Sequence, residues 1–331
     1  MMKKTATIAL ALASSILFSS CVEKSSKARI GIAMIQPHAA LESVEIGITD
    51  VLKESGLDFD IDRQNANGDV GTANQIAMKY RDEGVKLAVG IGTPVAVALA
   101  NTIKDVPVVF ATITDPVGAK LVSTLEHGEG NVAGMSDAVP TDVHINLFKK
   151  VAGIKTLGYI YTSSESNSMS SLKLVEDACR SEGIELVSQS ISSTNEVKQA
   201  AAAVVDRVDG LYISTDNTVF SAISSLIQVF RDAKKPIFSA DVTGAMQGGC
   251  MIAFGFNYYK AGRATGEIIV DILKNGKSPS EIPVRFMTDT KDSDFLVDLD
   301  AAKNCGIEIP ADIVDKANLI FEDGKLRSRE L

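Results

Sequence analysis

From Arg29 onward, short apolar runs alternate with stretches in which apolar residues recur every three or four positions, the pattern of a strand followed by a helix. Arg29 to Ile35 reads as a strand. The next segment sets Leu41, Val44, Ile48, Val51 and Leu52 on one helical face before Gly56 stops it. Leu57 to Arg63 alternates as a half-buried strand, and Ala73, Ile76, Ala77 and Tyr80 line a second helix that Gly84 ends. Leu87 to Ile91 is a strand. Pro94 suits the first turn of the following helix, where its missing N–H costs nothing, and Val106 to Ala111 is a further strand.

The scheme then repeats. Strands are predicted over Thr156 to Tyr161, Ile184 to Ser190, Gly210 to Ile213 and Pro236 to Ala240, with helices over Ser168 to Ser181, Asn195 to Val205 and Asn217 to Asp232. The seams match as well: ESGLDFDI corresponds to SEGIELVS, and KDVPVVFA to KKPIFSA. Alternation of this kind builds parallel sheets covered by helices on both faces, so the expected fold is α/β, with two doubly wound parallel-sheet lobes. A long helix over Tyr258 to Leu273 has no counterpart in either repeat and reads as the chain returning to cover the first lobe. The final segment, Val284 to Phe286 and Leu296 to Ile320, reads as finishing the second. The boundaries expected are 28–135 with 255–280 for the first lobe, and 136–254 with 281–331 for the second.

The N-terminus is different in kind. Lys3 and Lys4 precede an apolar run from Ala6 to Phe18, and Ser19-Ser20 lead into Cys21, the layout of an export signal over residues 1–20. It resembles a bacterial lipoprotein signal, with Phe18 where leucine is usual, and so implies lipid on Cys21 and a polar tether over 21–27. Beyond it no apolar stretch reaches the ~20 residues that span a bilayer, so the membrane is reached through lipid. Losing Lys3 and Lys4 moves the net charge from −9 to −11, and no basic cluster with interleaved aromatics remains, which argues against nucleic-acid binding. Cys179, Cys250 and Cys305 then form an odd set without CxxC spacing. His38, His127 and His144 make no metal motif, and no metal or other cofactor is expected. GxSxG, GxxxxGK[ST] and HExxH are all missing, so a binding role is favoured over catalysis.

Ligands of open parallel sheets sit beyond the carboxyl ends of the strands, at exposed helix N-termini. Those positions hold Gln36-Pro37-His38, Gly92-Thr93-Pro94 and Thr112 to Pro116 in the first lobe. In the second they hold Thr162 to Ser168, Ser214 to Thr218 and Ser239 to Asp241. Thr93, Asn167, Ser168, Thr215 and Asp216 are also good helix caps, a role that needs no ligand. Two facing rims of free helix N-termini make a cleft suited to a carboxylate, and Asp216 and Asp241 supply groups for an ammonium.

The phrases GTPVAVALA, VVFATITDPVGAKLV, GNVAGMSD, SESNS, ISTDNTV and GFNYYKAGRATGEI, in this order, resemble the substrate-binding lipoproteins of ABC importers of the tryptophan and tyrosine type. The resemblance runs from Ala28 to about Pro283. It implies a type I periplasmic-binding-protein fold, hinge crossovers between the lobes, an aromatic amino acid held between them, and an ABC permease with its ATPase as partners. Where relatives carry an acidic or glutamate-histidine pair after the first strand, Gln36-Pro37-His38 keeps only the histidine, which leaves a flavin, a nucleoside or a branched-chain amino acid open, as well as a ligand-sensing role. For an amino acid, Thr93, Ser166, Asn167 and Ser168 are assigned to the carboxylate and Asp216 and Asp241 to the ammonium. Asn217 lies beside Asp216, and Gln36, Thr114 and Asp115 lie on the opposite rim. Tyr161, Phe256 and Tyr258 are candidate stacking partners.

Overall fold

The computed structural model describes residues 27–287 and 290–329. Cys21 and the signal lie outside the described residues. Along the first lobe run β1 (Arg29–Met34), α1 (Ala39–Glu54), β2 (Asp60–Asn65), α2 (Val70–Glu83), β3 (Leu87–Ile91), α3 (Thr93–Thr102), β4 (Val108–Ala111) and β5 (Val132–Ser136). The second lobe follows with α4 (Thr141–Ala152), β6 (Thr156–Thr162), α5 (Ser166–Glu182), β7 (Glu185–Ile191), α6 (Val197–Val205), β8 (Gly210–Ile213), α7 (Asn217–Ser221), α8 (Ile223–Asp232), β9 (Ile237–Ser239) and β10 (Ile252–Phe256). The chain then returns through α9 (Tyr258–Leu273) and β11 (Arg285–Phe286), and ends with β12 (Ser293–Asp298), α10 (Leu299–Asn304), α11 (Ala311–Val314), β13 (Leu319–Glu322) and β14 (Lys325–Ser328).

The first sheet has the order β11-β5-β4-β3-β1-β2 and is parallel throughout. The second, β14-β13-β12-β10-β9-β8-β6-β7, is parallel except where β12 meets β10 and β14 meets β13. Its antiparallel margin comes from the C-terminal segment, which the two-repeat pattern does not contain. Because β11 pairs with β5 and Ile282 and Val284 join the first core, the chain crosses to the second lobe only after β11. The boundary expected at 281 is therefore early by several residues: Ile282 and Val284 are buried side chains that need the first lobe's core, and β11 completes that lobe's exposed edge.

Three further elements depart from the sequence reading. The helix expected over Asn217 to Asp232 breaks at Ala222 into α7 and α8. β5 and α4 carry clear structure that the periodicity did not flag, since Gly134 interrupts the short run VAGMS. Gly84, Gly153 and Gly183 close α2, α4 and α5 in the left-handed conformation, the helix stop that costs glycine no Cβ clash.

α9 lies along α1 so closely that a methyl group on Gly47 would collide with the Tyr259 carbonyl, and one on Gly262 with that of Val44. The two backbones touch. Ile48, Val44, Ala261 and Ile268 are all buried alongside, each large aliphatic contributing roughly 1.5–3 kcal/mol. This contact fixes the returning helix to the first lobe and sets Tyr258, its first residue, at the junction with the second.

Candidate functional site

The strands of the first sheet and the parallel strands of the second point their carboxyl ends at one another, and a cavity of about 10 Å³ lies between. His38, Leu41, Thr93, Thr112, Thr114 and Asp137 line it from the first lobe, Asn167, Thr215, Asp216, Asn217 and Asp241 from the second, and Tyr258 from the hinge. Room for a single water needs about this much space. The lobes are thus shut, and they are latched across the gap. The Thr114 and Thr215 hydroxyls meet at 3.0 Å, Ser170 Oγ donates to Asp115 at 2.9 Å, and His38 Nε2 lies 3.5 Å from Asn217 Oδ1.

Two carboxylates dominate the electrostatics. Asp137, just beyond β5, accepts from Thr114 Oγ1 at 3.0 Å and from the Tyr258 hydroxyl at 3.2 Å. Asp241, beyond β9, accepts on Oδ1 from the Thr243 amide and hydroxyl at 2.6 and 2.5 Å. Burial pushes Asp137 up to about 6; burial, with a contribution from the charge of Asp137, pushes Asp241 up to about 7. Neither lysine nor arginine lines the cavity among the described residues. A pair of buried acids without a cation is held at a cost that a bound cation would remove.

The remaining groups divide into those already committed and those left open. Asp216 spends its carboxylate internally, accepting from the Thr162 amide and hydroxyl, Ser168 Oγ and the Val219 amide, so it caps α7 and ties β6 to it. Glu165 is pushed up to about 7 by burial and the charge of Asp216, and accepts from Asn217 Nδ2 and from the Thr218 amide and hydroxyl. By contrast, Asn167 Oδ1 and His38 Nδ1 are buried without a partner. The starts of α1, α3 and α5 carry no side-chain cap, so their first N–H groups remain available at the cleft. Thr112 lines the same cavity at φ +54°, a left-handed conformation that costs a β-branched residue of order 1–3 kcal/mol.

Of the residues singled out from sequence, Thr93, Thr114, Asn167, Asp216, Asn217 and Asp241 line the cavity. Gln36 is buried with Nε2 unpartnered but does not line it, and Asp115 is committed to Ser170 and the Gly118 amide. Ser166 is exposed, and Ser168 bonds Asp216 and the Thr162 amide. Thr93 and Ser168 lie inside their helices and do not cap them, because Gly92 and Glu165 hold the cap positions. Tyr161 stacks on Tyr159 in the second lobe, with ring centroids 6.1 Å apart. Phe256 lines a separate cavity beside the hinge, and Tyr258 alone of the three aromatics reaches the central one. Asp137 was missed; its signal was the Ser-Asp that ends GNVAGMSD, legible only once VAGMS is seen as a strand. A larger groove of about 900 Å³ lies on the second lobe around Leu147, Phe254 and Phe295, but no buried acid converges on it.

A two-lobed α/β protein with hinge crossings and a polar cleft between strand ends is a periplasmic-type binding protein. Residues 29–320 match the ABC transporter substrate binding protein family, and the chain belongs to it. It is 34% identical over 282 residues to the tyrosine-binding protein of Clostridioides difficile strain R20291, covering 83% of this chain and 81% of that one. A Streptococcus pneumoniae ABC domain solved in complex with L-Trp is 31% identical, with a TM-score of 0.84 over 89% of this chain and all of that one. The ligand-free, open structure of a Clostridium difficile substrate-binding protein with adhesive properties is 36% identical, with a TM-score of 0.64 over 86% of this chain and 96% of that one. Identity rises while the fit falls, as a difference in lobe angle produces; the shut cleft described above is the counterpart. Among the described residues no helix is long and apolar enough to cross a membrane.

Proposed function

We propose that this chain is an extracytoplasmic, lipid-anchored substrate-binding protein that captures an aromatic amino acid between its lobes and hands it to an ABC permease powered by its ATPase. The observation that carries the ligand class is the pair Asp137 and Asp241, buried, facing one cavity and lacking a cation. An ammonium supplies that cation. The α-carboxylate goes to the uncapped N–H groups at Thr93 and at Ser166 to Ser168, where the helix dipole favours negative charge. Relatives named for tyrosine or solved with L-Trp support an aromatic side chain.

Ligand sites of this kind occupy ~300–1,000 Å³, far more than the closed cleft holds, so the lobes part to admit the ligand and reclose on it. Asp216, first assigned to the ammonium, becomes a framework residue in this reading, and Asp137 takes its place. The chain has no tryptophan, so titration with L-tryptophan can be followed by indole emission alone, with calorimetry for L-tyrosine and L-phenylalanine. Binding at micromolar Kd or tighter, about −8 kcal/mol, is expected for at least one of the three. If none binds while a flavin or nucleoside co-purifies, the importer role stands and the ligand class is wrong. Anchoring is tested by Cys21→Ser, which should leave the detergent phase of a Triton X-114 partition; unchanged partitioning would exclude lipid on Cys21.

A further inference from the structure

The cleft offers more hydrogen-bond acceptors than an amino acid's ammonium can fill. Asn167 Nδ2 donates to the Thr215 carbonyl at 3.1 Å, which fixes the buried, unpartnered Oδ1 as an acceptor facing the cavity. Asn217 Nδ2 donates to Glu165 at 2.6 Å, so its Oδ1 faces His38; an amide oxygen only accepts, and the His38 proton therefore sits on Nε2. His38 Nδ1 is left as a bare lone pair, buried and unpartnered. With Asp137 and Asp241 the acceptors number four, against the three N–H bonds of an ammonium.

Position separates His38 from the acid pair. Asp137 follows β5 and His38 follows β1, and the sheet order puts three strand intervals between them, about 14 Å at ~4.8 Å each. One ammonium cannot serve both ends. In the second lobe the same polarity holds: Asp241 follows β9, beside the hinge strand β10, whereas Asn217 and Phe220, which meet His38, follow β8, one strand further away. With the ammonium at the acid pair, the side chain of an aromatic amino acid runs toward His38, whose ring lies 5.9 Å from that of Phe220.

We propose that His38 Nδ1 is a specificity-determining acceptor that selects ligands whose aromatic ring carries a hydrogen-bond donor, a phenol O–H or an indole N–H, over a bare phenyl ring. This rests on the aromatic amino-acid reading above. A phenyl ring would leave the buried lone pair unpaired, and sites built around a hydrogen bond reject ligands that lack the partner group. Burial supports the role by holding the imidazole neutral, pushing His38 down to about 4, so that Nδ1 remains an acceptor at neutral pH.

The test is calorimetry on the mature full-length protein with L-tyrosine, L-tryptophan and L-phenylalanine, first in the wild type and then in His38→Phe, which keeps a ring and removes the acceptor. L-tyrosine or L-tryptophan should bind at least ten-fold more tightly than L-phenylalanine, and the gap should shrink to within about three-fold in the variant. The wild-type comparison stands even if the variant folds poorly. Equal affinities in the wild type, or a preference that survives His38→Phe, would overturn the role of His38 while leaving an aromatic ligand intact. Failure of all three to bind would overturn the ligand class, and this inference with it.

Discussion

Replacing Asp137 by asparagine should move stability and affinity in opposite directions. The carboxylate is buried, and its rise from the ordinary 3.8 to about 6 corresponds to about 3 kcal/mol between its two protonation states. The sign follows from linkage. A carboxyl group raised in the folded state contributes stability fully below pH 3.8, and that contribution is lost as pH rises through about 6. At pH 8 the ligand-free wild type therefore carries the whole cost, which the amide does not. Thr114 and Tyr258 must re-pair with an amide, which takes back up to about 1 kcal/mol. The variant should thus be more stable without ligand by about 2 kcal/mol at pH 8 and nearly unchanged at pH 4. Binding should weaken by about 1.5–3 kcal/mol, roughly ten- to a hundred-fold, the worth of a charge-assisted bond. Urea unfolding at pH 4, 6 and 8, paired with calorimetry at pH 8, reads both quantities. An Asp137→Asn protein that is less stable at pH 8, or that binds amino acids as well as the wild type, would refute the assignment of Asp137 as an ammonium partner held ready at a cost.

Because Asp137 and Asp241 are raised to about 6 and about 7, affinity should fall as pH is lowered from 8 to 5, and binding near pH 6.5 should release protons, measured as a buffer-dependent calorimetric enthalpy; buffer-independent heats would contradict this. Asp216→Asn should cost about 1–3 kcal/mol of unfolding free energy, since an amide cannot accept from four donors, while changing Kd less than three-fold; a large affinity loss at intact stability would restore Asp216 as a ligand contact. Ser170→Ala removes one lobe-to-lobe bond and should destabilise the shut form by at most ~1 kcal/mol, read as a small loss of affinity or of melting temperature by calorimetry and thermal unfolding; a larger effect would contradict this. Gly262→Ala forces a methyl group into the α1 backbone and should destabilise the first lobe by about 1–3 kcal/mol or more in urea.

The regular strands and helices were legible because each buries a periodic apolar face: β3, β8 and α9 have the limits that periodicity predicts. What escaped was set by contacts distant in sequence. The edge strand β11 is two residues long and gains its place only by pairing with β5, and the margin β12 to β14 has no local pattern that distinguishes antiparallel from parallel pairing. The site was legible as a location, since parallel strand ends face one another, but not as chemistry. Asp216 and Asp241 look alike in sequence, each a polar residue after a strand. Only the fold reveals that four donors converge on the first while the second faces another acid. Nor does the chain alone reveal that Gly92 and Glu165, rather than Thr93 and Ser168, take the cap positions.

The glycine-to-glycine seam between α1 and α9 bears on how a ligand is paid for in order and disorder. His38 stands at the head of one helix and Tyr258 at the head of the other, and backbone-to-backbone contact lets the pair tilt only as a single plank. When the lobes swing apart, the spacing between the far reader of the cleft and the hinge tyrosine that bonds Asp137 stays what it is in the shut form. One wall of the cleft thus keeps its spacing whether or not a ligand has arrived. The ordering that capture demands falls on the second lobe and on the angle between the two, so substitutions that loosen the seam would blur which ligand fits before they altered how tightly the lobes close.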